Sequence, residues 1–134
     1  MPTDDELRQI FADAKTIAVV GASSDPEKAG SRIPLYLQSA GYKIIPVSPK
    51  GGELFGTTVR TSLKEIDEPV DVVDVFRPAE EAPGIAREAA AIGAKVLWLQ
   101  AGIWSEEAYE IATSEGLTVI MDMCMGATHQ RLFD

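Results

Sequence analysis

The sequence predicts a single α/β domain: a doubly wound, five-stranded parallel sheet of order 3-2-1-4-5 with helices on both faces. Three observations predict it. Five short runs rich in Val and Ile recur along the chain. Stretches with helical spacing lie between them. Glycines and other turn residues punctuate the boundaries. Strands alternating with helices give a parallel sheet covered on both faces, and right-handed crossovers leave few topologies. Residues 1–134 are expected to form that one domain. With 46% hydrophobic and 25% charged residues the chain sits at the globular average and can bury a core.

The elements follow in order. Asp4 to Ala14 places Leu7, Ile10, Phe11 and Ala14 on one helical face, and Thr3 with Glu6 reads as a capping box. The first strand, from Thr16, is stopped by Gly21. Ser31 to Ala40 predicts a helix ended by Gly41, with Pro34 expected in its first turn, where a missing N–H costs little. The second strand is Lys43 to Val47. Turn signals follow at Gly51-Gly52 and Gly56, with a short helix at Ser62 to Ile66. Val70 to Phe76 is the third strand. Ala79 to Ile92 is a helix whose first turn Pro83-Gly84 makes irregular. Lys95 to Leu99 is the fourth strand. Ser105 to Glu115 is a helix whose Ser-Glu-Glu start suits an N-cap and the helix dipole. Leu117 to Met121 is the fifth strand, and one last turn is expected around His129 to Phe133.

The net charge of −9, with one Cys, one His and no Asn, excludes several functions. One Cys rules out an internal disulfide framework and a Cys-cluster zinc site, and one His rules out a two-His metal motif, so no metal site is expected. The acidic total argues against nucleic-acid and anionic-membrane partners. The acidic start lacks a secretory signal, and no apolar run reaches the roughly 18 residues of a membrane span. A cytoplasmic domain is expected. The charge is uneven, however. Lys28 to Lys64 holds six bases and one acid, Glu53.

In this architecture ligands bind outside the carboxyl ends of the strands. After strand one, Gly21-Ala22-Ser23 is small enough for close backbone approach, and Lys28, Ser31 and Arg32 open the next helix. That is either an anion cradle or an ordinary βα loop. It is not a standard dinucleotide fingerprint, because Ser23 and Pro26 stand where glycines would. Strand two ends in Val47-Ser48-Pro49-Lys50. A hydroxyl and a lysine replace the acid that would hold a ribose 2′-OH, and they suit a ribose phosphate, as in CoA or NADP. The alternative is a solvated lysine. Strand three ends in Phe76-Arg77-Pro78, which could pack against a nucleotide or be core and surface. Strand four ends in Gln100-Ala101-Gly102-Ile103, and strand five in Met123-Cys124-Met125. Cys124 reads as a packing residue and His129 as a structural one bonding a carboxylate or carbonyl. Asp71 is expected to cap the start of strand three. Asp74, inside an apolar run, needs a partner that the sequence does not name. Trp98 reads as core and Trp104 as surface or interface.

Together these strand ends resemble the CoA-binding domain family: the Rossmann-like domain that begins the succinyl-CoA ligase α subunit, also found as small stand-alone bacterial proteins. The resemblance spans Ala18 to Ser23, Tyr42 to Pro49, Val72 to Pro78, Leu97 to Ile103 and Met121 to Cys124. It implies coenzyme A, or an acyl-CoA, as a small-molecule ligand. Gly21, Ala22 and Ser23 would line its phosphates. Val47, Ser48, Pro49 and Lys50 would hold the adenosine-phosphate end, and Phe76, Arg77 and Pro78 would flank the nucleotide. Gln100, Gly102, Ile103, Met123, Cys124 and Met125 would face the pantetheine arm. The ligase's catalytic histidine belongs to a second domain, so the resemblance transfers a ligand and no catalytic residue. Stand-alone members tend to carry Glu-His near the C-terminus, where this chain has Thr128-His129. The leading expectation is CoA or acyl-CoA binding without catalysis. The alternatives are an NADP-dependent oxidoreductase and a CoA-responsive regulatory or scaffold protein, whose protein partner the sequence does not identify.

Overall fold

A computed structural model describes residues 2–134. Helix α1 (Asp4–Asp13) carries the expected capping box: Thr3 Oγ1 accepts from the Glu6 N–H at 3.1 Å, and the Glu6 carboxylate accepts from the Thr3 N–H. Strand β1 (Thr16–Val20), helix α2 (Ala29–Ser39) and strand β2 (Lys43–Val47) follow. A small antiparallel hairpin, β3 (Glu53–Leu54) and β4 (Thr57–Thr58), comes next. The chain continues through β5 (Val72–Val75), α3 (Ala82–Ala91), β6 (Val96–Leu99), α4 (Glu106–Ser114), β7 (Thr118–Ile120) and α5 (Met125–Phe133).

The five longer strands form one parallel sheet in the order β2-β1-β5-β6-β7. This corrects the expected order: in chain order the strands lie 2-1-3-4-5, not 3-2-1-4-5. Pro46 supplies the reason. A proline cannot donate to a ladder and is confined to edge strands. The Pro46 carbonyl accepts from the Arg60 N–H at 2.9 Å on the outer side of β2, and a Val47–Arg60 bridge completes that edge. A full strand there would lack a donor, so β2 ends the sheet. Strand β5, buried at all four residues, takes the place beside β1.

Two smaller expectations also change. Helix α2 begins at Ala29, so Pro34 lies inside it and not in its first turn. The last element is a full helix, α5, because Cys124 caps it and Thr128 Oγ1 donates back to the Cys124 carbonyl at 2.7 Å. The short helix expected at Ser62 to Ile66 is present as a 3-10 turn over Leu63–Glu65, capped by Ser62 and Ile66. A second 3-10 turn, Ala79–Glu81, forms the irregular start of the helix leading into α3.

The sheet separates two apolar layers. Helices α3 and α4 cover one face, where fully buried Ala82, Ala86, Ala89, Ala108 and Ala112 let them approach β5 and β6 closely. Helices α1, α2 and α5 cover the other, around Phe11, Ile17, Leu37, Trp98 and Met125. Burying each of the larger side chains contributes about 1.5–3 kcal/mol. Trp98 is core as expected, with its indole N–H donating to the Met123 carbonyl at 2.8 Å, and Trp104 is exposed. Among the described residues no helix is long and apolar enough to cross a membrane.

Candidate functional site

A cavity of about 500 Å³ opens at the carboxyl ends of β1, β2 and β5. The helix that follows β1 shapes its floor. In α2, Pro34 cannot donate to the Gly30 carbonyl four residues earlier, so that carbonyl is free. It accepts from the Ser23 N–H at 3.1 Å. Gly30 itself must be small, because a Cβ there would lie 2.6 Å from the Gly21 carbonyl oxygen. From the other side, the Val47 carbonyl accepts from the Gly21 and Ala22 N–H groups at 3.1 and 3.4 Å. The loop after β1 is thus stapled between α2 and β2, its small residues lining the cavity.

The lining is basic on balance. Lys28, Lys50 and Arg77 face one carboxylate, Glu53. Among the described residues neither Lys28 nor Lys50 is ion-paired, whereas Lys43, Arg77, Lys95 and Arg131 all are. Arg77 is clamped by Glu81: its Nε donates to both carboxylate oxygens at 3.2 Å and its Nη2 to Oε2 at 2.7 Å. That contact raises the Arg77 pKa and lowers the Glu81 pKa.

A second cavity of about 460 Å³ adjoins the first through Ala29. It lies between α2 and the N-terminus of α5, lined by Arg32, Ile33, Tyr36, Gln100, Cys124 and Gln130 among others. Gly126 permits this approach, since a Cβ there would meet Ile33 Cγ2 at 3.2 Å. Beneath it runs a buried polar chain. Gln100 Nε2 donates to Asp74 Oδ1, and Gln100 Oε1 accepts from the Met125 N–H at 3.3 Å. Gln100 is therefore the partner that Asp74 needs. The other carboxyl oxygen, Oδ2, has no hydrogen-bond partner among the described residues, and burial lifts the Asp74 pKa to about 7 against the opposing Gln100 bond.

Of the residues singled out from sequence, Gly21, Ala22, Ser23, Lys28, Ser48, Pro49, Lys50, Phe76 and Arg77 line the first cavity. Arg32, Gln100 and Cys124 line the second. Ser31 and Val47 are buried behind the first wall, and Pro78 is exposed beyond Arg77. Gly102, Ile103 and Met123 lie outside both linings, and Met125 is wholly buried. Asp122 holds the Gly102 loop: its Oδ1 accepts from the Gly102 N–H at 2.7 Å, and its own φ is 54°. Two expectations change here. His129 meets the Tyr36 hydroxyl and not a carboxylate or carbonyl. Asp71 caps β1 and not its own strand, accepting from the Lys15 and Thr16 N–H groups. The sequence reading missed Gly30, Leu54 and Tyr36. Gly30 had a visible cue, in Pro34 four residues on.

A doubly wound parallel sheet with a basic cleft at the carboxyl edge of β1 defines a Rossmann-like ligand-binding domain. The CoA binding domain family matches residues 15–130, and the chain belongs to that family. It is 44% identical over 128 residues to the uncharacterized protein YneT of Bacillus subtilis, covering 96% of this chain and 95% of YneT. It is 28% identical over 131 residues to an ADP-forming acetate–CoA ligase of Methanocaldococcus jannaschii, covering 92% of this chain but 18% of the ligase. A solved structure from Thermus thermophilus, cell-free ID.343, superposes with a TM-score of 0.94 at 40% identity, covering 98% of this chain and all of that one.

Proposed function

We propose that the protein binds coenzyme A, free or acylated, along the two adjoining cavities. The diphosphate and ribose phosphate would occupy the first cavity and the pantetheine arm would run toward the second. The observation that carries this reading is a pair of lysines with no ion-pair partner among the described residues, Lys28 and Lys50, at a cavity built on a stapled small-residue loop. Lysine is a point charge suited to phosphate. Gln100 and Cys124 line the second cavity, toward which the arm would run, whereas Gly102, Ile103 and Met123 lie outside both linings and Met125 is wholly buried. Binding without turnover is the favoured reading. Among the described residues the first cavity is lined by no His or Cys, and Glu53 is its one carboxylate. That cavity offers charges and hydroxyls suited to phosphates, while the arm would run toward the second cavity and Cys124.

Calorimetry with CoA, acetyl-CoA and dephospho-CoA tests the reading. CoA and acetyl-CoA should bind. Dephospho-CoA should bind more weakly by about 1.5–3 kcal/mol, the value of a charge-assisted hydrogen bond. Absence of binding by all three rejects the proposal. Binding of NADPH without CoA would replace it with the oxidoreductase reading.

A further inference from the structure

Asp74 is a carboxyl in the middle of the sheet that phosphate binding does not use. Its register partners, Val19 on β1 and Trp98 on β6, belong to the apolar layer under α1, α2 and α5. Side chains at one register level share a face, so Asp74 points into that layer. A polar group costs stability there unless it is bonded. Its one hydrogen bond among the described residues runs to Gln100, just past the end of β6.

The direction of that bond is fixed by the backbone. The Met125 N–H can only donate, so the Gln100 atom facing it at 3.3 Å is Oε1. Nε2 is therefore the atom turned toward Asp74, and Asp74 Oδ1 accepts. The chain of bonds joins the centre of the sheet to the first residue of α5. The first N–H groups of a helix have no partner within it. Here Cys124 Sγ accepts from the Ala127 N–H at 3.4 Å, and Gln100 is what ties the turn to the sheet. That turn is a wall of the second cavity, where Cys124, Gly126 and Ala127 face Arg32 and Ile33 of α2. The two walls meet without slack, because a Cβ on Gly126 would lie 3.2 Å from Ile33 Cγ2. A shift of the first turn would therefore reshape the cavity.

We infer that Asp74 is a positioning residue for the second cavity: by holding Gln100 it fixes the first turn of α5 against α2, and so sets the fit of the ligand's arm. This rests on the CoA reading, which runs the pantetheine arm toward that cavity.

The unpartnered Oδ2 supplies the control. Asp74→Asn keeps Oδ1 as acceptor and changes only the oxygen that bonds nothing among the described residues. Asp74→Val removes the acceptor and suits a buried strand. Burial lifts the Asp74 pKa to about 7, so measurements at about pH 6 compare side chains that are mostly uncharged. The first readout needs no ligand: hydrogen exchange of the amides of residues 124–128 in the free full chain. Exchange there should be faster in Asp74→Val and unchanged in Asp74→Asn. The second is calorimetry with CoA and with adenosine 3′-phosphate 5′-diphosphate, which lacks the arm. Wild type and Asp74→Asn should prefer CoA. Asp74→Val should lose about three- to tenfold of that preference, the range of one hydrogen bond, and bind the armless nucleotide as before. Melting curves establish that each variant folds. If Asp74→Val does not, Gln100→Met breaks the bridge from its other end and takes its place in both measurements. Unchanged exchange in the bridge-breaking variant overturns the inference. So does an equal loss for both ligands, an Asp74→Asn protein as impaired as Asp74→Val, or a wild type that binds the two ligands equally. A wild type that binds neither ligand instead removes the CoA reading, and the exchange result then judges the positioning alone.

Discussion

The two edges of the sheet use their charged groups in opposite ways. At the amino edge every charge considered is answered within the chain. Asp71 Oδ2 accepts from the Lys15 and Thr16 N–H groups at 2.8 and 2.9 Å, Oδ1 lies 3.6 Å from Lys95 Nζ, and Lys43 pairs with Glu68. At the carboxyl edge Lys28, Arg32 and Lys50 have no ion-pair partner among the described residues. The amino edge is tied by its charges, and the carboxyl edge leaves these three unpaired among the described residues, as the proposed ligand site requires. The total of −9 conceals this, because it averages an answered edge with an unanswered one.

The largest effect is expected at Asp74, where the contrast breaks down. This carboxyl lies inside the sheet, wholly buried, with one oxygen unpartnered among the described residues. Its pKa rises from 3.8 to about 7 in the fold. Between those values the folded protein holds a proton that the unfolded chain has lost. Stability is therefore full below about pH 4 and falls as pH rises through 7. A shift of about three units corresponds to at most about 4 kcal/mol. Asp74→Asn keeps an acceptor for Gln100 and removes the titration. Denaturant unfolding should show the variant more stable than wild type at pH 8 and level with it near pH 4. An unchanged pH slope would assign the effect elsewhere.

Asp71→Ala should cost about 3 kcal/mol of stability, because two backbone N–H groups lose a charged acceptor. It should leave CoA affinity unchanged in calorimetry. A loss of affinity with intact stability would reverse the roles given to the two edges.

These assignments were unequally legible. The five strands were readable because short Val/Ile runs buried on both faces leave a plain pattern, and the caps at Thr3 and Ser105 because their partners lie three residues away. The order of the strands was readable in principle from Pro46, which cannot sit between two neighbours. The hairpin wall of the first cavity was hidden by its length of two residues per strand. Its tip also hides it, with Phe55 and Gly56 at φ 56° and 77° where Asn-Gly would have signalled the turn. The Tyr36–His129 contact joins residues 93 apart, so it exists only after α2 and α5 have packed together.

The carboxyl edge gives the next effect. Lys28→Ala and Lys50→Ala should each lower CoA affinity by about tenfold or more, with unfolding midpoints unchanged. Each should also flatten the dependence of affinity on salt, since one fewer cation meets the phosphates. A loss of stability in place of affinity would make these lysines structural, like those of the amino edge.

The smallest effect concerns Arg77, which belongs to both patterns. It lines the first cavity, yet Glu81 already holds its Nε and Nη2. That side of the guanidinium is the fork a phosphate would use, so carboxylate and ligand compete for the same donors. Both side chains are 47% exposed, and pairs of this kind contribute about 0–1 kcal/mol. Glu81→Gln should therefore tighten CoA binding by no more than about fivefold, and most clearly at low salt. Unchanged affinity would show that Arg77 does not reach the ligand. A weaker complex would show that Glu81 orients the guanidinium for the phosphate, which would move Arg77 wholly to the ligand-answering side of the comparison.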